Sequence, residues 1–173
     1  MPAHRLDRPT GLDDLLLYRL SRLLAVAGSM VIRLCEGRFG ITRREWRIVA
    51  LLGENEGMLS SQLAERAQLD RARTSRAITS LVGKKLLQRE TGKGDRRQAR
   101  LALTSEGRAL YEALFPLVRE INRELLAPLS SPEVASLEHA LDALQTQAER
   151  MVARAQLPKA DRRRGGRNRP ALG

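Results

Sequence analysis

The stretch from Ser60 to Thr104, "SSQLAERAQLDRARTSRAITSLVGKKLLQRETGKGDRRQARLALT", constrains the fold more than any other part of the chain. It reads as a short helix capped by Ser60, a tight connection around Gln68 to Asp70, and a second helix from Arg71 to about Lys85. Two helices joined by a three- or four-residue turn suggest a helix-turn-helix. Leu86 to Glu90 and Gln98 to Leu103 then suit two strands, the second with Ala99, Leu101 and Leu103 on its inner face. The tip between them carries Gly92 and Gly94, where the chain needs positive φ or close approach, while Lys93, Arg96, Arg97 and Arg100 project charge.

At about 100° per residue, the second helix of the pair places Thr74, Ala77, Ile78, Leu81 and Val82 on one face, which predicts the core side. The opposite face carries Arg73, Arg76, Thr79 and Ser80, with Arg71 and Ser75 near its edge and start, and no carboxylate among them. An ordinary solvated face mixes both signs, as Glu65 and Arg66 do in the preceding helix. Arginine forks beside Ser and Thr hydroxyls are what guanine edges and phosphates accept in a major groove.

Charge distribution agrees. The 173 residues hold 31 Lys and Arg against 20 Asp and Glu, a formal +11, which favours a polyanionic partner, either nucleic acid or an anionic membrane surface. Residues 60–104 alone contain 11 Lys and Arg against 4 acids, so +7 of the +11 lies on this one module. A membrane-surface role needs large exposed aromatics opposite the basic face, and aromatic residues make up only 3% of the chain.

Helices flank the module. From Leu12 to Leu34, Leu16, Leu20, Leu23, Ala27, Met30 and Leu34 recur at steps of four and three, a seam for packing against other helices. Near the other end Ser131 is placed to cap a helix with Pro132 at its first position, and Val134, Leu137, Leu141, Leu144, Ala148 and Met151 repeat the spacing. Such seams can pack within one chain, but a pair flanking a separate module predicts interlocking with a second copy, with Leu16, Leu20, Leu23, Leu137, Leu141 and Leu144 at the interface. Before the module, "GITRREWRIVALL" has Thr42 and Glu45 at capping-box spacing, followed by Trp46, Val49, Ala50 and Leu52 on one face.

The expected architecture is therefore mainly α, a winged helix-turn-helix domain with a small β-hairpin wing between N- and C-terminal dimerisation helices. Its parts are an N-terminal arm and first dimerisation helix (1–40), the DNA-binding domain (41–115), C-terminal dimerisation helices (116–156) and a basic tail (157–173). The tail, "LPKADRRRGGRNRPALG", lacks apolar periodicity and reads as disordered.

Other chemistries find little support. A single cysteine, Cys35, excludes a disulfide framework, and His4 and His139 are isolated, so no metal is expected. "GKG" precedes no helix and matches neither phosphate-loop spacing, so no nucleotide cofactor is expected. No acid-base constellation suggests an enzyme. No stretch approaches the ~18 apolar residues that span a bilayer, and "MPAHRLDRPTG" lacks a secretory pattern, so the expected location is the cytoplasm.

The order of elements resembles the MarR family of bacterial transcription regulators, over roughly Leu12 to Ala155. Its most specific piece is "GDRRQARLALTSEGR", similar to the family's Asp-x-Arg, alternating apolar residues and Leu-Thr-x-x-Gly, with Asp95, Arg97, Leu103, Thr104 and Gly107 at the matching places. The resemblance implies a homodimer on double-stranded operator DNA, Arg97 entering the minor groove with Asp95 holding its guanidinium, and Lys93 and Arg96 near phosphates. It further implies a repressor released by a small aromatic or heteroaromatic carboxylate, held where the dimerisation helices meet the winged domain. Tyr18, Ser29, Arg33 and Trp46 are the candidates there. Two alternatives stay open: an architectural or non-specific DNA binder without an effector, and a regulator that senses oxidants through Cys35.

Overall fold

The computed structural model, which describes residues 4–90 and 99–156, contains six α-helices and a three-stranded antiparallel sheet among those residues. The elements run α1 (Leu16–Arg33), α2 (Arg43–Glu54), β1 (Met58–Leu59), α3 (Ser60–Arg66), α4 (Arg71–Gly83), β2 (Leu87–Glu90), β3 (Arg100–Leu103), α5 (Ser105–Leu126) and α6 (Ser131–Arg154). The expected winged helix-turn-helix is present as α3, α4 and the paired strands β2 and β3.

The chain divides after Ala127 into two units, the first with α1–α5 and the sheet, the second with α6. In the first unit α2 is the hub, meeting α3, α4, α5 and β3. The capping box expected at its start forms, with Glu45 N–H donating to Thr42 Oγ1 and Thr42 N–H donating to a Glu45 carboxylate oxygen at 2.6 Å. Ile48, Val49 and Leu52 are fully buried in one core with Leu63, Leu81 and Leu114. Burial of each such side chain contributes about 1.5–3 kcal/mol.

Several boundaries differ from the sequence reading. The first helix begins at Leu16, because Leu15 is extended and Leu12–Asp14 form a separate 3₁₀ turn whose Asp14 takes the Thr10 N–H and hydroxyl. Its other end widens into a π-turn over Leu34–Arg38, which places Cys35 wholly inside the core. Ser60 is the first helical residue of α3 rather than its cap. Leu59 holds the cap position because it closes β1, and its N–H donates to Gln62 Oε1 at 2.8 Å. Likewise Ser130, not Ser131, caps α6, since Glu133 at the third helical position reaches back to the Ser130 N–H.

The strand β1 is too short for any periodicity to announce it. Met58 and Leu59 pair with Leu101 and Arg100, which makes β3 the central strand. Gly57, at φ +74°, turns the chain into β1, and its carbonyl accepts from the Arg100 guanidinium at 2.8 Å. Arg100 stays exposed, so the expected charge lies on the surface, with one guanidinium N–H used in this bond. Between β2 and β3 the register runs from Leu87 opposite Leu103 to Glu90 opposite Arg100. Ala102 is buried as well as Leu101 and Leu103, so β3 does not alternate in the expected way.

Candidate nucleic-acid interface

The helix α4 separates its two faces as its sequence dictates. Thr74, Ala77, Ile78 and Leu81 are buried, and the Thr74 hydroxyl is satisfied by the Asp70 carbonyl at 3.0 Å. Asp70 caps the helix, its side chain accepting from the Arg73 N–H at 2.8 Å, and it also pairs with the Arg73 guanidinium at 3.1 Å. Arg71, Arg73, Ser75, Arg76, Thr79 and Ser80 are all exposed, on one continuous cationic and hydroxyl-bearing surface. The preceding turn bends because Gln68 adopts φ +52°, with Leu69 N–H bonding back to the Ala64 carbonyl as in a Schellman C-cap.

Clefts border α4 on two sides. One, of about 370 Å³, runs along the start of α2 and includes Thr42, Arg44, Arg73, Arg76 and Ser80. The other, of about 330 Å³, opens toward the sheet and includes Ser60, Ser61, Ser75 and Arg89. Arg44, Arg89, Ser60 and Ser61 are additions to the site expected from sequence. Arg89 carried no usable signal, because it falls in phase with Leu87 and opposite Leu101, on the face that alternation assigns to the core.

The helix is held in place by an ion pair between a buried carboxylate and a partly exposed lysine. Glu45 is 2% exposed, and Lys84 Nζ donates to both its oxygens at 2.9 and 3.0 Å and to the Gly40 carbonyl at 2.8 Å. Burial pushes the Glu45 carboxyl up, but hydrogen bonds from Ser80, the Thr42 N–H and Lys84 outweigh it and hold the group below its ordinary range. Ser80 therefore sits near enough to lower this carboxyl as well as lying on the α4 surface.

The wing is anchored at its root. Thr104 caps α5, accepting from the Gly107 N–H at 3.0 Å, and its hydroxyl donates to the Lys85 carbonyl at 2.6 Å. Gly107 packs so closely that a Cβ there would stand 2.0 Å from the Leu86 carbonyl oxygen. The Leu-Thr-x-x-Gly sequence thus clamps β3 and the end of α4 onto α5. The tip residues Lys93, Asp95, Arg96 and Arg97 lie outside the described residues, as does the tail 157–173.

The four expected effector residues do not converge. Trp46 is 7% exposed and stacks on Tyr111, which stacks in turn on Phe115, so it belongs to the core. Ser29 is exposed and turns its hydroxyl back to the Val26 carbonyl at 2.7 Å. Tyr18 lies beneath the Arg22 guanidinium in the first turn of α1, and Arg33 ends that helix. At 1.5 Å per residue they stand about 22 Å apart, too far to line one small pocket.

Along α1, Leu17 is 80% and Val26 75% exposed, and Leu20 and Leu23 are exposed too. With Val118, Ile121 and Leu125 of α5, Leu20 and Leu23 line an apolar groove of about 430 Å³. On α6, Leu137, Leu141 and Leu144 are exposed as well. Cys35 is completely buried, and desolvation, with Glu36 nearby, pushes its thiol up to about 11. A thiol so placed is a poor peroxide sensor, which counts against oxidant sensing. No helix among the described residues is long and apolar enough to cross a membrane.

Residues 39–98 match the profile of the MarR family. The chain is 30% identical over 105 residues to the homoprotocatechuate degradative operon repressor of Escherichia coli, covering 61% of this chain and 71% of that protein. It is 34% identical over 112 residues to the HTH-type transcriptional regulator FarR of Neisseria gonorrhoeae, covering 59% and 77%. Among solved structures, a probable transcriptional regulator from Pseudomonas aeruginosa superposes with a TM-score of 0.65 at 31% identity, covering 78% of this chain and 99% of that one.

Proposed function

The chain belongs to the MarR family of transcriptional regulators, and from that premise we propose that it is a homodimeric repressor of an inverted-repeat operator, released by a small aromatic or heteroaromatic carboxylate. The observation that carries the DNA reading is the exposed face of α4. It offers Arg71, Arg73 and Arg76 with Ser75 and Thr79, and no carboxylate, beside clefts that hold Arg44 and Arg89. In this reading α4 enters the major groove, its arginines and hydroxyls meeting base edges and phosphates. Arg97 of the wing reaches the adjacent minor groove, with Asp95 orienting it and Lys93 and Arg96 beside phosphates.

The dimer is supported by apolar seams: exposed Leu20 and Leu23 with half-buried Leu16 on α1, and exposed Leu137, Leu141 and Leu144 on α6. A two-fold pair of such modules reads half-sites about one helical turn, ~10 bp, apart. The acid effector is supported by the relative in Escherichia coli, whose name ties it to the degradation of an aromatic acid.

The test is a titration at controlled salt of wild type, Arg76→Ala and Arg97→Ala against the promoter beside the protein's own gene and a random duplex of equal length, with and without aromatic acids. The expected result is a promoter preference that drops about 5- to 150-fold in each variant, in line with ~1–3 kcal/mol per base-reading arginine. One acid of the panel weakens wild-type binding. Equal affinity for both duplexes, with no response to any acid, would leave a non-specific DNA binder instead.

A further inference from the structure

The cleft between the start of α2 and the flank of α4 divides the cations of the DNA-binding surface into two sets. At about 100° per residue, Arg76 and Thr79 point away from the buried stripe of Thr74, Ala77, Ile78 and Leu81. Arg73 and Ser80 turn aside toward α2, where Thr42 and Arg44 complete the cleft of about 370 Å³. The residues that α4 contributes to it, Arg73, Arg76, Ala77 and Ser80, follow the helical spacing of a single flank.

Arg44 is the cation of this cleft that the fold itself does not use. It is exposed on the first turn of α2 and forms no ion pair among the described residues. Arg73, by contrast, is tied to Asp70 at 3.1 Å. The cleft's one carboxylate, Glu45, is buried and occupied by Lys84. A concave surface with three arginines and no uncompensated acid attracts an anion.

The position of Arg44 selects which anion. The major groove is about 12 Å wide and admits one helix, so a side chain on a second helix alongside α4 meets the wall of the groove. That wall is the phosphate backbone. We propose that Arg44, with Arg73 beside it, seats a backbone phosphate of the operator where one strand borders the groove, while Arg76 and Thr79 read bases. The inference rests on the DNA-binding reading given above and divides that surface into a part that positions and a part that specifies. It also carries the contact beyond the helix-turn-helix to α2, and in a two-fold dimer the seat occurs twice.

The experiment titrates the full-length protein by fluorescence anisotropy against the promoter duplex and the random duplex, from about 0.05 to 0.2 M salt. Each lost phosphate contact takes about 0.9 off the slope of log affinity against log salt, so two per dimer take about 1.8. With affinity at about 1 M salt unchanged, that is roughly 30-fold weaker binding at about 0.15 M. Arg44→Gln is expected to show this loss on both duplexes, their affinity ratio staying within about threefold of wild type, whereas Arg76→Ala lowers the ratio. Arg44→Lys keeps the charge and most of the slope. Arg44→Glu adds an acid to the first turn of α2, which suits the helix dipole, so it melts at or above wild type while its DNA affinity falls further.

A loss confined to the promoter duplex in Arg44→Gln would make Arg44 a base reader and overturn the phosphate seat. Unchanged affinity and slope in Arg44→Gln, with the ratio still lowered by Arg76→Ala, would overturn the seat and leave the α4 reading standing. No effect of either variant would remove the α4 reading itself. A melting temperature lowered in step with DNA affinity across the Arg44 variants would make the residue structural and overturn the proposal.

Discussion

Replacing Gly107 by Ala tests the joint on which the wing depends. A Cβ at Gly107 would lie 2.0 Å from the Leu86 carbonyl oxygen and 3.0 Å from its carbon. A carbon needs about 3.3 Å from such an oxygen, so backbone must retreat by more than an ångström. Neither side retreats freely, because Thr104 N–H bonds to that same carbonyl at 3.1 Å, and the Thr104 hydroxyl bonds to the Lys85 carbonyl at 2.6 Å. Overpacking costs roughly 1–3 kcal/mol, and each strained or lost hydrogen bond about 0.5–1.5 kcal/mol. Alanine's preference for helix returns about 1 kcal/mol. The net destabilisation is about 2–4 kcal/mol, which lowers Tm by roughly 5–15 °C in a chain of this size. Urea denaturation followed by circular dichroism measures it, with Gly83→Ala as the control. Gly83 ends α4, and a methyl added there would meet nothing within 4 Å, so alanine is neutral or gains up to about 1 kcal/mol. A Gly107→Ala stability within about 0.5 kcal/mol of wild type, on the scale of ordinary surface substitutions, would refute the close packing of α5 on Leu86.

The remaining predictions concern the helix mount, the cysteine and the turn. Lys84→Met leaves the Glu45 carboxylate without its cation and destabilises by about 2 kcal/mol, below the ~3–5 of a fully enclosed pair because Lys84 is over a third exposed. Because the folded carboxyl of Glu45 lies below its unfolded value of 4.5, its stabilisation is complete above that pH and is lost as pH falls through the lower folded value. Acid titrations of stability should show this loss in wild type and a smaller one in Glu45→Gln. Cys35, with its thiol near 11, should resist a thiol-specific reagent at pH 8 while folded and react at once in urea. Peroxide treatment that altered operator affinity through Cys35 would restore the oxidant-sensing reading. Gln68→Gly removes a side chain from φ +52° and should stabilise by about 0.5–1 kcal/mol, the relief of left-handed strain exceeding the added freedom of the unfolded chain; a loss of stability in thermal melts would contradict the strain.

What the sequence disclosed, and what it withheld, follows the range of the interactions involved. The two faces of α4 and the Thr42–Glu45 cap depend on neighbours three or four residues away, so periodicity and spacing exposed them. The caps at Leu59 and Ser130 shifted by one residue because each is chosen by a partner, the β1 pairing in one case and Glu133 in the other, and Ser60 and Ser131 satisfied the same local rule. Contacts across the chain were invisible: β1 is two residues long, Lys84 meets Glu45 thirty-nine positions away, and Arg47 meets Ala67 at a distance of twenty. The effector candidates rest on the same short-range reasoning. Arg33 and Trp46 stand out as a cation and an aromatic near a junction, yet only the fold could show that Trp46 faces Tyr111. The family's Leu-Thr-x-x-Gly sequence lies between these cases. Its match was legible at once, but the reason for the glycine, a carbonyl pressed against the place a methyl would occupy, belongs to the packing of α5 on the end of α4.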